Sequence, residues 1–215
     1  MRILAFNSSP RDNQTSKTEL VLQSFLEGAR RAGAETETLY LRDYKIKHCL
    51  GCFSCWVKTP GRCVQKDDMA EELFARYLQA DLAVLATPLY HYNMNARMKM
   101  FIERTLPMVK PGASDLGRPS YRFERVPKVA VLSVCGYPAM DTFRALSLNM
   151  QMILGDLLVA EIYRHTSEAL VAPPLAAKVR EILAAVSRAG EELVRDGLVQ
   201  PETLKAATQD LAPGN

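Results

Sequence analysis

The stretch Leu82-Ala83-Val84-Leu85-Ala86, running directly into Thr87-Pro88-Leu89-Tyr90-His91-Tyr92-Asn93-Met94-Asn95-Ala96, sets the frame for the whole chain. A run of apolar residues without polar alternation is what a strand looks like when helices cover both its faces, as in a parallel sheet. After the loop, Met94, Met98, Phe101, Ile102 and Thr105 recur at helical spacing until Pro107 closes the pattern. Strand, loop and helix in that order make half of a βαβ unit.

The same alternation extends outward in both directions. Apolar runs at Arg2–Phe6, Thr36–Leu41, Lys128–Val134 and Leu157–Tyr163 read as further strands. Leu22, Phe25, Leu26 and Ala29 form one helical face. Helices are also expected near Asp68–Tyr77, Asp141–Leu154 and Pro174–Arg195, with a short one in Gln200–Asn215. Five strands alternating with helices predict an α/β, doubly wound sheet, whose ligands lie outside the carboxyl ends of the strands. The loops after strands one, three and four are therefore the places to look. No repeat or linker divides the 215 residues, so a single domain spanning 1–215 is expected, with a cysteine-rich loop at 45–67.

Composition narrows the function. With 27 Lys+Arg against 24 Asp+Glu, the net charge is +3 and no basic run stands out, which argues against a nucleic-acid partner. No apolar stretch is long enough for a bilayer, and the first residues lack a signal-peptide core, so no membrane partner and a cytoplasmic location are expected. Five cysteines, four of them crowded between Cys49 and Cys63, point to metal or redox chemistry rather than a secreted disulfide framework.

Two loops carry the chemistry. The segment Asn7–Thr18 has neither a dinucleotide fingerprint nor a P-loop. It offers Ser9, Asn13, Thr15, Ser16 and Thr18, with Arg11 among them, at the start of a helix whose free N–H groups and dipole favour an anion. A single capping serine would need far fewer hydroxyls. The other loop reads Cys49-x2-Cys52-x2-Cys55-x7-Cys63, and Gly51 allows a tight turn. Four soft sulfur ligands suit an iron–sulfur cluster or zinc, and free or disulfide-forming thiols are the third option. Phe53 and Trp56 are placed to shield such a centre or to join the core. Cys135 stands apart and reads as a small packing residue.

The Ser9-Pro10-Arg11 loop with Thr15-Ser16-Lys17-Thr18, together with Thr87–Ala96 and Arg97-Met98-Lys99-Met100-Phe101-Ile102-Glu103-Arg104, resembles the flavodoxin-like NAD(P)H-dependent FMN reductase superfamily. The cysteine segment, with its trailing Cys63-Val64-x-x-Asp67-Asp68-Met69, resembles the iron–sulfur flavoprotein branch. The resemblance implies five parallel strands in the order 2-1-3-4-5. It implies FMN, its phosphate on Ser9, Arg11, Asn13, Thr15, Ser16 and Thr18. The ring would lie against Pro88, Leu89, Tyr90, His91, Tyr92 and Asn93, closed by Cys135 and Gly136 from the loop after strand four. His91 and Tyr92 would lie near the flavin, with no catalytic side chain assigned. It further implies NAD(P)H as donor, a 4Fe–4S cluster on Cys49, Cys52, Cys55 and Cys63 as one use of the thiols, and a small-molecule or protein electron acceptor.

The expected activity is NAD(P)H oxidation coupled to a quinone, nitro or azo compound, flavin or protein. The alternatives are a flavodoxin-like carrier and a thiol redox sensor. Flavodoxins are usually shorter and strongly acidic, unlike this chain. The superfamily completes its pocket with a neighbouring subunit, so a homodimer or homotetramer is expected. The methionines of Met94–Met108 are the surface proposed for that contact.

Overall fold

The computed structural model describes residues 1–112 and 120–211. Five parallel strands form the sheet: β1 (Arg2–Asn7), β2 (Glu35–Tyr40), β3 (Leu82–Tyr90), β5 (Lys128–Val134) and β6 (Leu158–Arg164). Their spatial order is β2-β1-β3-β5-β6, the expected doubly wound arrangement. One strand was not anticipated. A two-residue β4 (Asn93–Met94) folds back antiparallel on the end of β3, pairing Leu89 with Met94 and Tyr90 with Asn93.

Burial follows position in the sheet. β1 and β3 are central and almost wholly buried, whereas the edge strand β2, Glu-Thr-Glu-Thr-Leu-Tyr, exposes alternate side chains. On one face α1 (Lys17–Arg31), α6 (Ala176–Asp196) and α7 (Pro201–Thr208) cover Ile3, Ala5, Val84, Leu132 and Ile162. On the other, α3 (Phe74–Gln79), α4 (Ala96–Glu103) and α5 (Arg144–Leu154) pack over Leu4, Phe6, Leu85 and Val131.

Two glycines let α1 and α6 touch backbone to backbone. A Cβ on Gly28 would lie 1.6 Å from the Ser187 carbonyl oxygen, and one on Gly190 would lie 2.0 Å from that of Phe25. No side chain fits at either position, and this contact fixes how closely α1 and α6 approach each other.

Two expectations need correction. The helix expected at Asp68–Tyr77 opens with a wide turn at Met69–Leu73, in which the backbone bonds reach one residue further than in an α-helix. The regular helix α3 follows only from Phe74. Of the methionines offered to a partner subunit, Met94, Met98 and Met108 are buried in the core, and Met100 is partly buried. Apolar side chains stand exposed on α5 instead, at Leu148 and Met152. No helix among the described residues is long and apolar enough to cross a membrane.

Candidate flavin cleft and cysteine loop

At the carboxyl edge of the sheet β1 leaves through Asn7 into a loop that folds on its own side chains. Asn7 Oδ1 accepts from the Ser9 amide at 2.8 Å, and Asp12 Oδ1 accepts from the amides of Gln14 and Thr15, both at 2.9 Å. Those bonds hold Asp12 below the usual carboxylate range, the Thr15 amide contributing most. Ser16 caps α1, its Oγ accepting from the Glu19 amide at 3.1 Å while donating to Ser9 Oγ at 2.8 Å. Beneath the loop the buried Glu19 carboxylate accepts from Asn7 Nδ2 at 2.7 Å, Gln23 Nε2 at 2.9 Å and the Tyr40 hydroxyl at 2.8 Å. Burial and Glu19 together push the Tyr40 hydroxyl up to about 12.

Asn95 ties this loop to the next. Its Oδ1 caps α4 by accepting from the Met98 amide at 3.0 Å, its own amide donates to Thr87 Oγ1 at 3.2 Å, and its Nδ2 reaches back to the first loop. Together the loops enclose a cleft whose walls include Ser9, Ser16, Thr18, Pro88, Tyr90 and Gly136. Arg11, Leu89 and Cys135 also line it. One wall is polar and sits at the N-terminus of α1; the other is flat backbone and ring.

Five expected residues lie outside that lining. Asn13 is turned to the flank, where its Oδ1 accepts from Arg42 Nη2 at 2.8 Å, and Thr15 is an exposed turn residue held by Asp12. His91 and Tyr92 form the tight turn between β3 and β4, with φ of 47° and 63°, and Asn93 pairs with Tyr90. Left-handed backbone is unusual for residues of this size and costs on the order of 1–3 kcal/mol each. Tyr92 lies stacked with Tyr137 at 6.2 Å between centroids and 13° between planes, and both are exposed.

Sequence reading also missed three contributors. Lys17, Ser167 and Glu168 line the cleft. Glu168 stands 3.6 Å from Arg11 Nη1 and 3.8 Å from Lys17 Nζ, a carboxylate between two cations. The signal was available in principle, because the loop after β6 leaves from the same edge as the other three.

The cysteine loop leaves after β2. All five cysteines are free; Cys52 is exposed, Cys55 buried, and Cys49 and Cys63 intermediate. Cys49, Cys52, Cys55 and Cys63 line one depression with Arg104 and Leu106 in its wall. Burial, and then the neighbouring Cys63, push the Cys55 thiol up, whereas hydrogen bonds from Ser54 pull Cys52 down. Phe53 starts the short helix α2 (Ser54–Val57) from a left-handed backbone, and its ring lies 5.0 Å from that of Trp56. Phe53 is half exposed, so it shields the depression only partly.

Among the described residues no three Cys, His, Asp or Glu side chains are already gathered to hold a metal ion. The donor set still suits a sulfur-ligated centre, since four thiols share one depression and its wall holds a buried N–H donor, Arg104 Nε, that lacks an acceptor. Of the motif positions on α4, Lys99 pairs with Glu103 at 2.6 Å, and Arg104 makes a buried bidentate pair with Asp67.

The fold and the cleft define a class before any comparison: a flavodoxin-like sheet with a hydroxyl-lined cleft at the head of its first helix. The chain belongs to the NADPH-dependent FMN reductase family, whose pattern matches residues 1–136. It is 36% identical over 107 residues to an iron-sulfur flavoprotein of Archaeoglobus fulgidus, covering 50% of this chain and 46% of that protein. The chain spans about half the length of the curated relatives it matches. An NAD(P)H:quinone oxidoreductase from Methanothermobacter marburgensis superposes with a TM-score of 0.63 at 19% identity, over 90% of this chain and 96% of that one. An FMN-dependent NADH-azoreductase from Bacillus anthracis, solved in complex with FMN, gives 0.65 at 16% identity, over 90% and 99%. At such identities the likeness is one of fold.

Proposed function

We propose that this chain is an FMN-dependent NAD(P)H oxidoreductase that passes electrons to a quinone, a nitro or azo compound, free flavin or a protein acceptor. The carrying observation is the cleft itself, with buried hydroxyls at the N-terminus of α1 facing the flat Pro88–Tyr90 and Cys135–Gly136 backbone. Ser9, Ser16 and Thr18 are the groups to hold the phosphate, with the first-turn amides of α1 behind them and Arg11 and Lys17 supplying charge. When bound, FMN supplies two-electron acceptance and release of electrons singly or in pairs. The chain's part is to fix the ring at the sheet edge and leave one side open to donor and acceptor in turn. Steady-state oxidation of NADH or NADPH with a quinone or ferricyanide tests this. No turnover above background with either nucleotide overturns it.

Within the same reading, Cys49, Cys52, Cys55 and Cys63 hold an iron–sulfur cluster that relays electrons beyond the flavin. Support comes from the shared depression and from relatives bearing the name iron-sulfur flavoprotein. Iron and acid-labile sulfide in anaerobically purified protein test it, and zinc without sulfide rejects it. A second reading, a thiol redox sensor, draws on one observation: Cys52 is exposed and its thiol is pulled down by Ser54. A sensor would oxidise reversibly at Cys52 without NAD(P)H turnover.

Assembly as a homodimer or homotetramer is part of the proposal, with the exposed Leu148 and Met152 on α5 replacing the buried methionines as the contact. A sedimentation mass near the 24.0 kDa of one chain at micromolar holoprotein contradicts it.

A further inference from the structure

Arg104 ends α4 directly under the cysteine loop and is almost wholly buried. Its Nη1 donates to Asp67 Oδ2 at 2.6 Å and to the Lys47 carbonyl at 2.8 Å, and its Nη2 donates to Asp67 Oδ1 at 2.8 Å. The bidentate pair with Asp67 compensates the burial of the guanidinium charge. Nε is the remaining donor. It is buried, and among the described residues nothing accepts its hydrogen. A charged N–H without an acceptor is costly, and native proteins rarely leave one so. The same side chain forms a wall of the depression lined by all four loop cysteines.

We propose that Arg104 is a positioning residue for the thiol-ligated centre, its Nε–H donating to the sulfur of Cys63 when the loop closes on iron. The inference rests on the iron–sulfur reading above. The placement explains why a desolvated ion pair is kept where apolar packing would be no less stable. A thiolate centre gains negative charge on reduction, and a hydrogen bond from a cation stabilises the more negative form more strongly. Arg104 therefore raises the reduction potential of the centre and makes it an easier acceptor for flavin electrons. Asp67 holds the guanidinium plane so that the third edge of the fork faces sulfur.

The test uses anaerobic full-length holoprotein reconstituted with iron and sulfide and labelled with [15N]arginine. Pulsed electron paramagnetic resonance of the reduced centre should show a nitrogen coupling that disappears in Arg104→Lys. Lysine preserves the ion pair with Asp67 but has no Nε–H. The midpoint potential should fall in Arg104→Lys at unchanged iron content and unchanged FMN occupancy. An iron–sulfur centre with no arginine coupling, or an unshifted midpoint in the variant, overturns the role of Arg104 and leaves the centre standing. Wild-type protein that takes up neither iron nor sulfide overturns both. If the lysine variant fails to hold iron, the coupling in wild-type protein decides alone.

Discussion

Asn95 Nδ2 donates to the Ser8 carbonyl at 2.7 Å, so the residue that caps α4 also anchors the loop that starts α1. Both groups are buried, Ser8 wholly and Asn95 at 5% exposure. One side chain thereby links the two loops that form the walls of the cleft. Asn95→Ala removes the cap and leaves the Ser8 carbonyl without that donor, a loss of about 2–3 kcal/mol in urea unfolding. FMN affinity should fall along with stability. Asn95→Asp keeps the cap, sets a carboxylate against the carbonyl, and should lose affinity with a smaller loss of helix stability.

The cations of the cleft already have a carboxylate between them, because Glu168 faces both Arg11 and Lys17. Bound phosphate would compete with it. Glu168→Gln should tighten FMN several-fold, equivalent to about 0.5–1 kcal/mol for a solvent-exposed charge, and leave riboflavin affinity unchanged. Ser9→Ala with Ser16→Ala should do the reverse, weakening FMN while riboflavin holds. Fluorescence titration of apoprotein with both flavins measures each case. Equal changes for FMN and riboflavin would move the phosphate elsewhere.

Backbone contact between α1 and α6 leaves no room for a methyl group. Gly190→Ala places Cβ against the Phe25 carbonyl, which cannot swing aside as a side chain would. Overpacking of this kind costs about 1–3 kcal/mol or more, against a helix-propensity gain of about 1 kcal/mol for replacing glycine. A net loss in thermal or urea stability is expected. Since the proposed phosphate site lies at the head of α1, FMN affinity should weaken as well.

Acid sensitivity has an identifiable source in His165, which is buried beside Arg164 at the carboxyl end of β6. Burial and then Arg164 hold its imidazole below the usual value, more strongly than the Thr208 carbonyl and the exposed Asp210 raise it. The unfolded chain therefore binds the proton first. The contribution of neutral His165 is fully present above pH 6.5 or so and is lost as pH falls toward the depressed value. Melting temperature should decline across that window. His165→Asn should be less stable at pH 8 but show a shallower decline, and equal slopes would place the titration elsewhere.

Much of this architecture was legible because strong periodicity and position coincide. Leu82–Ala86 is apolar on both faces because β3 lies between β1 and β5, and Lys128–Val134 matches its strand to the residue. The features that pattern did not show share a cause: they depend on direction. Asn13 and Thr15 have the side chains of a phosphate loop, yet Asn13 is engaged by Arg42 and Thr15 lies exposed in the turn whose amides Asp12 accepts. The apolar rhythm of Met94 and Met98 is the same whether the face meets the core or a partner. β4 was hidden because two residues cannot show a strand period, and Glu168 because the loop after the last strand carries no motif.

The cysteine loop departs and returns through one narrow neck. The Lys45 and Lys47 amides donate to Asp68 Oδ2 at 2.6 Å and Asp67 Oδ2 at 2.8 Å, and the Asp68 amide donates to the Lys45 carbonyl at 3.2 Å. A neck clamped this way makes residues 48–65 a cassette, since the entropy of closing a longer or shorter insert changes by only about 0.6 kcal/mol per doubling of length. Lengthening or shortening the insert between His48 and Gln65 should therefore leave the strand order and the cleft at the head of α1 in place, at the cost of the contacts that Trp56 makes with Leu106.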